Sequence, residues 1–570
     1  MANAFHDIAA STAAALGKLG VQVTVEDIAR SIEFPTRPGF GHLAVPLFSL
    51  AGQLRQSPAA IAQQVAEIIE RPASISRIEP ITGYLNFWEA PGSVAADVLP
   101  RIFALQDRYA ASTEGAGKTI VMDYSHPNIA KPFGVGHLRS TVIGNCLYRV
   151  FAKLGYRPVG INHLGDWGTQ FGKLICAYRR WGSPTALDEQ PILALYDLYV
   201  RFHKEAETDA ALEDQARVEF KKLEDGDPEN RALWQRFRDL SLREFNRIYD
   251  RLGVRFDSDA GESFYNDRLG PLIARLERTG MAKESQDALV IELDDPQLPP
   301  LVVRKADDAS LYATRDLAAA EYRYAAYGFH RALYIVGAAQ SLYFRQLFAA
   351  LKKIGCVWAE RMEHVEFGWV KFGQEIMSTR RGTIVFLDDV IEQAVQRARK
   401  IIMEKNPDLP NAAADAEQVG TGAVVFSQIA VRRNKDIVFA FADVLNFDGH
   451  TGPFVQYNYA RLCSLLRKYD RPVEPDVDFS LLNEPEETRL AILLHDYPRR
   501  VRAVAETCEP AVLAAFLIEL VDVYSSYYQR VRIITEEAPS TRARMLLSSA
   551  VRDVLKDGLY LLGMHAPERM

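Results

Sequence analysis

Five cysteines stand in 570 residues, at positions 146, 176, 356, 463 and 508, and none forms a CxxC pair. An odd count without paired spacing argues against a disulfide framework or a zinc knuckle and for a reducing compartment. No stretch of 18 apolar residues occurs; the most apolar segment, 511–523, is interrupted by Glu519 and Asp522 and reads as a buried helix, not a membrane span. The first twenty residues, MANAFHDIAASTAAALGKLG, have neither a basic start before an apolar stretch nor any arginine, and they carry Asp7. Neither a secretory nor a transit peptide fits, and a cytoplasmic location is expected. An excess of positive charge is also missing: 67 basic against 74 acidic residues leave −7. That excludes indiscriminate whole-surface binding to nucleic acid and leaves room for local basic patches. Internal repeats and low-complexity tracts are absent.

What is there is an ordinary globular composition, 48% hydrophobic and 25% charged, in a chain long enough for three or four domains at roughly 150 residues each. Residues 1 to about 90 read as a small α+β unit, with a helix over 58–69 (PAAIAQQVAEII) and a strand over 83–88 (GYLNFW). The small polar stretch 111–118 (ASTEGAGK) is a linker candidate. Beyond it, 119–124 (TIVMDY) is strand-like. Leu138, Val142, Ile143, Cys146, Leu147, Val150, Phe151 and Leu154 share one helix face, Gly155 suits the helix end, and 158–162 (PVGIN) is again strand-like. Strand, loop, helix, strand is a βαβ unit, so the fold class is α/β with a parallel sheet. Residues 186–252 form a charged helical insertion broken at 225–228 (DGDP), and 301–304 and 333–336 return as strands. Residues 406–420 read as a second linker, and from about 440 to the end helical periodicity dominates, apart from an acidic loop at 470–487.

Four segments carry chemistry. In 123–141 (DYSHPNIAKPFGVGHLRST), Gly134 and Gly136 precede a helix start, where free N–H groups and the dipole suit a phosphate; His137 is placed to donate to a phosphate oxygen, with Lys131 and Arg139 nearby. In 163–172 (HLGDWGTQFG), three glycines, Asp166 and Trp167 follow a strand, where α/β proteins build a cleft wall. In 310–316 (SLYATRD), Tyr312 and Asp316 are four apart and share a helix face; a phenol beside a carboxylate suits a guanidinium. In 371–382 (KFGQEIMSTRRG), Ser378, Thr379, Arg380 and Arg381 make a basic loop of the kind that closes over a triphosphate. Near the C-terminus, 457–469 (YNYARLCSLLRKY) and 498–502 (PRRVR) mix aromatics with arginine, as base stacking and phosphate contact require. Each segment alone equally suits a plain turn or a solvated helix face.

Together and in this order, with IVGAAQ at 335–340, TGPFVQYNYAR at 451–461 and a final APERM, these segments resemble the arginyl-tRNA synthetases, a family of class I aminoacyl-tRNA synthetases, over essentially the whole chain. The resemblance implies an N-terminal domain (1–112) contacting the tRNA elbow, a Rossmann-type catalytic domain (113–440) and an α-helical anticodon-binding domain (441–570). It implies activation of L-arginine by ATP with Mg2+, without zinc, and transfer to the 2′-OH of the terminal adenosine of the tRNA for arginine. It places the arginine pocket on Asp123, Asn128, Tyr312, Asp316 and Gln340, with Asp123 and Asp316 on the guanidinium and Asn128 and Gln340 on the α-amino end. It places ATP on Gly134, Gly136, His137, Gly165, Asp166 and Met377, catalytic roles on Lys131, His137, Ser378, Arg380 and Arg381, and tRNA contacts on Tyr457, Tyr459 and Arg461.

The chain departs from the family pattern twice. The first histidine of the HIGH signature is Gly134, for which Asn128, Lys131 or His126 could compensate. The KMSKS signature reads Ile376-Met377-Ser378-Thr379-Arg380, without either lysine; Lys131, just before HIGH, stands where such members often carry one, and Arg380 or Arg381 offers an alternative. A monomer is expected, because no long apolar seam is evident. An arginine-activating paralogue with another acceptor and a noncatalytic tRNA binder are the competing expectations.

Overall fold

The computed structural model describes residues 4–35, 39–285, 288–304, 312–372, 375–376 and 386–570. The N-terminal unit holds an antiparallel sheet of strands β1 (Leu43–Pro46), β2 (Ile75–Ile81) and β3 (Tyr84–Glu89) in the order β1-β3-β2. Its helix Pro58–Ile68 starts where Ser57 accepts from the Ala60 N–H and Pro58 takes the first helical position, and it buries Ile61, Ala62 and Val65.

The central sheet is parallel. Strand β4 (Thr119–Asp123) lies between β5 (Arg157–Ile161) and β9 (Arg331–Tyr334), with β10 (Met362–His364) beyond β9. Helix Val135–Lys153 connects β4 to β5, as the βαβ reading requires. Strands β6 (Lys283–Ser285), β7 (Ala288–Ile291) and β8 (Leu301–Arg304) form a separate antiparallel sheet. The strand expected at 301–304 therefore exists but joins this small sheet, not the parallel one. Strands β11 (Val370–Phe372), β12 (Glu375–Ile376) and β13 (Ile437–Phe439) make a third small sheet.

Between β5 and β6 the insertion runs through helices Pro184–Glu189, Pro191–Ala206, Ala211–Asp225 and Pro228–Leu252. Its break falls at DGDP for local reasons. Gly226 ends one helix in the left-handed region, Asp227 caps the next by accepting from the Asn230 N–H at 3.0 Å, and Pro228 fills the first helical position.

Six long helices follow among the described residues, Leu387–Lys405, Ala412–Ile429, Gly452–Tyr469, Pro485–Thr507, Ala511–Arg530 and Ala538–Leu561, with the one-turn helix Phe441–Val444 between the second and third. The linker expected at 406–420 is thus mostly helix. Ala416 and Gly420 are packing residues there: a Cβ on Gly420 would lie 2.6 Å from the backbone of Val395, so the missing side chain lets helix Ala412–Ile429 press onto Leu387–Lys405. The apolar helix Ala511–Arg530 packs in this bundle, burying Leu513, Phe516, Leu517 and Leu520, while Glu519 pairs with Arg489. All five cysteines are free thiols.

The bundle is not a separate body. His495 stacks on Phe5 at 4.0 Å, and the Tyr109 hydroxyl donates to the Leu494 carbonyl at 2.9 Å. Lys153, at the end of the β4–β5 helix, pairs with Asp557 at 2.7 Å with both side chains nearly buried, and Tyr497 donates to the same carboxylate.

Candidate active site

The site lies at the carboxyl ends of β4 and β9, where parallel sheets present ligands. Asp123 is the last residue of β4. The chain then turns through Ser125, His126 and Ala130, all with positive φ (79°, 54° and 60°). Each such non-glycine residue costs about 1–3 kcal/mol and persists only where its surroundings over-determine it. Here they do. The Ser125 N–H donates to Ser140 Oγ at 3.0 Å, its hydroxyl lies 2.8 Å from both Tyr249 and Thr141, and the Ala130 N–H donates to Ser241 Oγ at 2.9 Å. Tyr249 and Ser241 belong to the insertion helix Pro228–Leu252, so the insertion shapes the loop that follows β4.

Two of the sequence segments meet here. The Gly165 N–H donates to the Pro127 carbonyl at 3.1 Å and the Ile129 N–H to the Gly165 carbonyl at 3.2 Å. A Cβ on Gly165 would sit 2.1 Å from Asn128 Oδ1, so glycine is what leaves room for the Asn128 amide. Asp166 lies behind this wall, fully buried. It accepts from the Ser263 N–H and hydroxyl, both at 2.8 Å, and from Arg238 at 3.2 Å. Its carboxylate is therefore engaged in joining the cleft wall to residues 238 and 263.

Asp123 also has an employment that the sequence did not reveal. Its two oxygens are each 2.6 Å from a partner, His126 Nε2 and Arg323 Nη1. Burial works to raise its pKa, but Arg323 and His126 outweigh it and hold the carboxyl well below the usual range. The carboxylate expected on an incoming guanidinium thus already meets the chain's own Arg323 through one oxygen and His126 through the other. Arg323 sits on helix Tyr312–Tyr327, seven residues after Asp316 and so on the same face, which is the one signal that the sequence offered.

Asp316 differs. Its oxygens meet the Tyr343 hydroxyl and, at 3.9 Å, His163 Nε2, and no cation contacts it among the described residues. Its side chain is 27% exposed. Burial pushes its pKa up to about 6, against the opposing effects of the Tyr343 bond and of Arg323, with the Asp123 charge adding to the rise. His163 is held neutral, its pKa lowered to about 4 chiefly by burial. Tyr312, 67% exposed at the start of the same helix, and Gln340, exposed at the end of the turn Ala338–Gln340 after β9, complete a rim.

On the phosphate side, Gly134 caps helix Val135–Lys153 and its backbone pairs with Phe386. The Leu387 N–H donates to the Phe133 carbonyl at 2.9 Å. Gly136 is exposed, and a Cβ there would meet nothing within 4 Å. His137 is neutral, its pKa lowered to about 4 mainly by burial, and its Nδ1 has no hydrogen-bond partner. The Lys131 ammonium lies 4.8 Å from the Tyr199 ring centre, and among the described residues no carboxylate pairs with it; burial lowers its pKa. Met377, Ser378, Arg380 and Arg381 lie outside the described residues.

In the bundle, Arg461 lies over Tyr457 at 5.0 Å and over Tyr528 at 5.3 Å. Tyr528 is 40% exposed, whereas Tyr459 is 2% exposed and belongs to the core. Of the residues expected at a tRNA surface, Tyr457 and Arg461 are thus grouped with Tyr528, and Tyr459 is not among them.

Three family profiles match in series: the arginyl-tRNA synthetase N-terminal domain over 6–88, the catalytic domain of class I tRNA synthetases for arginine over 99–441, and the DALR anticodon-binding domain over 455–570. The catalytic profile alone spans more than half of the chain. The chain belongs to the arginyl-tRNA synthetase family. Relatives within it include the arginine–tRNA ligases of Clostridium perfringens, 45% identical over 96% of this chain and 98% of that one, and of Clostridium botulinum strain Alaska E43, 44% identical over 98% and 99%. Among solved structures, the Thermus thermophilus arginyl-tRNA synthetase superposes with a TM-score of 0.81 at 26% identity, covering 100% of both chains. The Plasmodium falciparum enzyme shares the fold at the same TM-score and 23% identity, over 99% of this chain and 98% of that one. In this synthetase the central parallel sheet, the N-terminal unit and the helical C-terminal bundle correspond to the architecture expected from sequence.

Proposed function

We propose that this chain is an arginine–tRNA ligase, and that Asp316 selects its amino acid. The observation carrying this reading is a partly exposed carboxylate with no lysine or arginine against it among the described residues, beside a second carboxylate that an internal arginine has already neutralised. An arriving guanidinium gives Asp316 the fork it lacks; a lysine ammonium offers a point charge without that geometry. Asn128 and Gln340 stand at the α-amino end, and Tyr312 flanks the cleft.

ATP, arriving as its magnesium complex, meets the N-terminus of helix Val135–Lys153, where free N–H groups, Lys131 and His137 face the phosphates. The arginine carboxylate attacks the α-phosphorus; arginyl-adenylate forms and pyrophosphate leaves. The terminal ribose 2′-hydroxyl of the tRNA then attacks the activated carbonyl, and AMP departs. Lys131 supplies the ammonium that the KMSKS segment of this chain lacks, and Ser378, Arg380 and Arg381 are the further catalytic candidates that the family resemblance names. Tyr457, Arg461 and Tyr528 hold the anticodon end, while residues 1–112 and 441–570 serve as tRNA-binding domains around the catalytic 113–440. We further propose that the enzyme works as a cytoplasmic monomer.

The test is arginine-dependent ATP–pyrophosphate exchange with and without tRNA for arginine. Exchange that requires tRNA supports the full ligase. Exchange indifferent to tRNA favours an activating enzyme with another acceptor, and no exchange with tRNA still bound refutes the reading.

A further inference from the structure

The turn that carries Gln340 is not held by the catalytic sheet alone. The Ala338 N–H donates to the Phe367 carbonyl at 2.9 Å, and Ser341 donates its hydroxyl to Glu366 at 2.5 Å. Residues 366–368 are clasped in turn by Arg433. Its carbonyl accepts from the Gly368 N–H at 2.8 Å, and its Nη1 donates to the Glu366 carbonyl at 2.6 Å. The Arg433 N–H is gripped by both oxygens of Glu509, at 3.1 and 3.2 Å.

Glu509 belongs to the bundle. It lies in the three-residue turn 508–510 between helices Pro485–Thr507 and Ala511–Arg530. That turn is stiff: Cys508 ends one helix at φ +51°, and Pro510 caps the next. A second strut fixes the same turn to the sheet. Arg331, the first residue of β9, donates to the Ala505 carbonyl at 3.2 Å, lies 3.5 Å from Cys508 Sγ and pairs with Glu363 at 2.6 Å. A third reaches in from the phosphate-side helix. Arg139, fully buried, donates to the carbonyls of Gly368 (2.8 Å), Lys435 (2.6 Å) and Arg432 (3.3 Å). The guanidinium is met by backbone dipoles, not by an acid in contact.

We propose that Glu509 and Arg433 are positioning residues for the arginine pocket, through which the helical bundle sets the placement of Gln340. The proposal rests on the reading of that pocket as the arginine site. Glu509 touches no substrate; it fixes the Arg433 backbone, Arg433 fixes 366–368, and these fix the Ala338–Gln340 turn. Asp316, Lys131 and His137 make none of these contacts, and Arg139 ties the phosphate-side helix to the carbonyls of 368, 432 and 435 by bonds of its own that do not involve Glu509, so the effect falls first on arginine binding. A ligand that displaces the 485–530 helical hairpin acts on arginine through the same contact.

The test uses the full-length enzyme with Glu509→Ala, Glu509→Gln and Arg433→Lys. The readouts are arginine KM, ATP KM and kcat in exchange at saturating tRNA, arginine Kd by calorimetry, and tRNA Kd by filter binding. Glu509→Ala is expected to raise arginine KM and Kd five- to tenfold, leaving kcat, ATP KM and tRNA Kd within twofold. Glu509→Gln keeps one acceptor oxygen and should recover most of the loss; Arg433→Lys, whose single ammonium sits on a differently shaped stem and does not reproduce the Nη1 position over the Glu366 carbonyl, should resemble the alanine variant. A folded Glu509→Ala enzyme with unchanged arginine KM and Kd overturns the proposal, as does a parallel weakening of arginine, ATP and tRNA. Should Glu509→Ala not fold, the glutamine and lysine variants decide the same comparison. If the wild type shows no arginine-dependent exchange, the ligase reading falls, and the ratio of arginine Kd values still decides whether Glu509 positions the pocket.

Discussion

Asp316 makes the arginine site sensitive to pH in a way that can be worked out. Burial and the Asp123 charge hold its pKa at about 6 in the free enzyme, above the ordinary 3.8. Only the ionised form pairs with a guanidinium. At pH 7.5 nearly all of the enzyme is in that form; at pH 5 roughly one-tenth is, since each pH unit below the pKa is a factor of about ten. The kcat/KM for arginine should therefore be flat above pH 7 and fall with unit slope below about pH 6, because this ratio reports the free enzyme. The bound guanidinium stabilises the ionised carboxylate, so kcat at saturating arginine should break at lower pH. Asp316→Asn should remove the break and cost on the order of 2–5 kcal/mol, roughly 30- to 5000-fold in kcat/KM, the usual penalty for unpairing a buried charge. The assay is exchange across pH 5–8 at varied arginine. A flat profile down to pH 5 in the wild type, or a break that survives in Asp316→Asn, would refute the assignment.

Three other perturbations separate roles that lie close together. Lys131→Ala should lower activation far more than it raises arginine KM, because on the proposed reading its ammonium serves the ATP phosphates and not the amino acid; unchanged exchange kinetics would remove Lys131 from the reaction. Glu89, 3% exposed with neither carboxylate oxygen hydrogen-bonded, has its pKa pushed up to about 8 by burial. The folded state then binds the proton more tightly than the unfolded one, so stability falls as pH rises from about 4.5 to 8, by about 3 kcal/mol at pH 7. The Tm advantage of Glu89→Gln over wild type should accordingly grow with pH, and a constant difference would refute the account. Arg461→Ala should raise the tRNA KM about tenfold with arginine and ATP KM unchanged, whereas Tyr459→Phe, in the core, should leave all three unchanged; charging assays at varied tRNA distinguish them.

Local chemistry made much of the fold legible. The strand over 83–88, the first βαβ unit and the DGDP break are written in alternation, helical spacing and caps, and each acts within a few residues. Partner choice is not written locally. LVVR at 301–304 is strand-like wherever it pairs, and nothing within it says that it joins β7 instead of the parallel sheet. The alanine-rich stretch 406–420 looks like a linker until a neighbouring helix is there to pack against. The site divides in the same way. Asn128, Asp316 and Gln340 came from ordered segments and a family resemblance. That Asp123 is taken by Arg323, 200 residues away, that Asp166 is fully buried, and that Tyr459 is core while Tyr528 is exposed are facts of burial, which sequence spacing does not encode.

The shared core of the three units has a consequence for how such a protein can be taken apart. His495 stacks on the N-terminal helix, Tyr109 bonds to the bundle, and Lys153 ends the first sheet-connecting helix against Asp557. Cutting the chain near residue 441 would strip a hydrophobic face and a buried charge from the catalytic half and leave the bundle with Asp557 unpaired. The anticodon-reading part is therefore no cassette that can be exchanged between scaffolds. A transplanted bundle would have to bring its own version of the seam, and substitutions along that seam must change in concert on both sides.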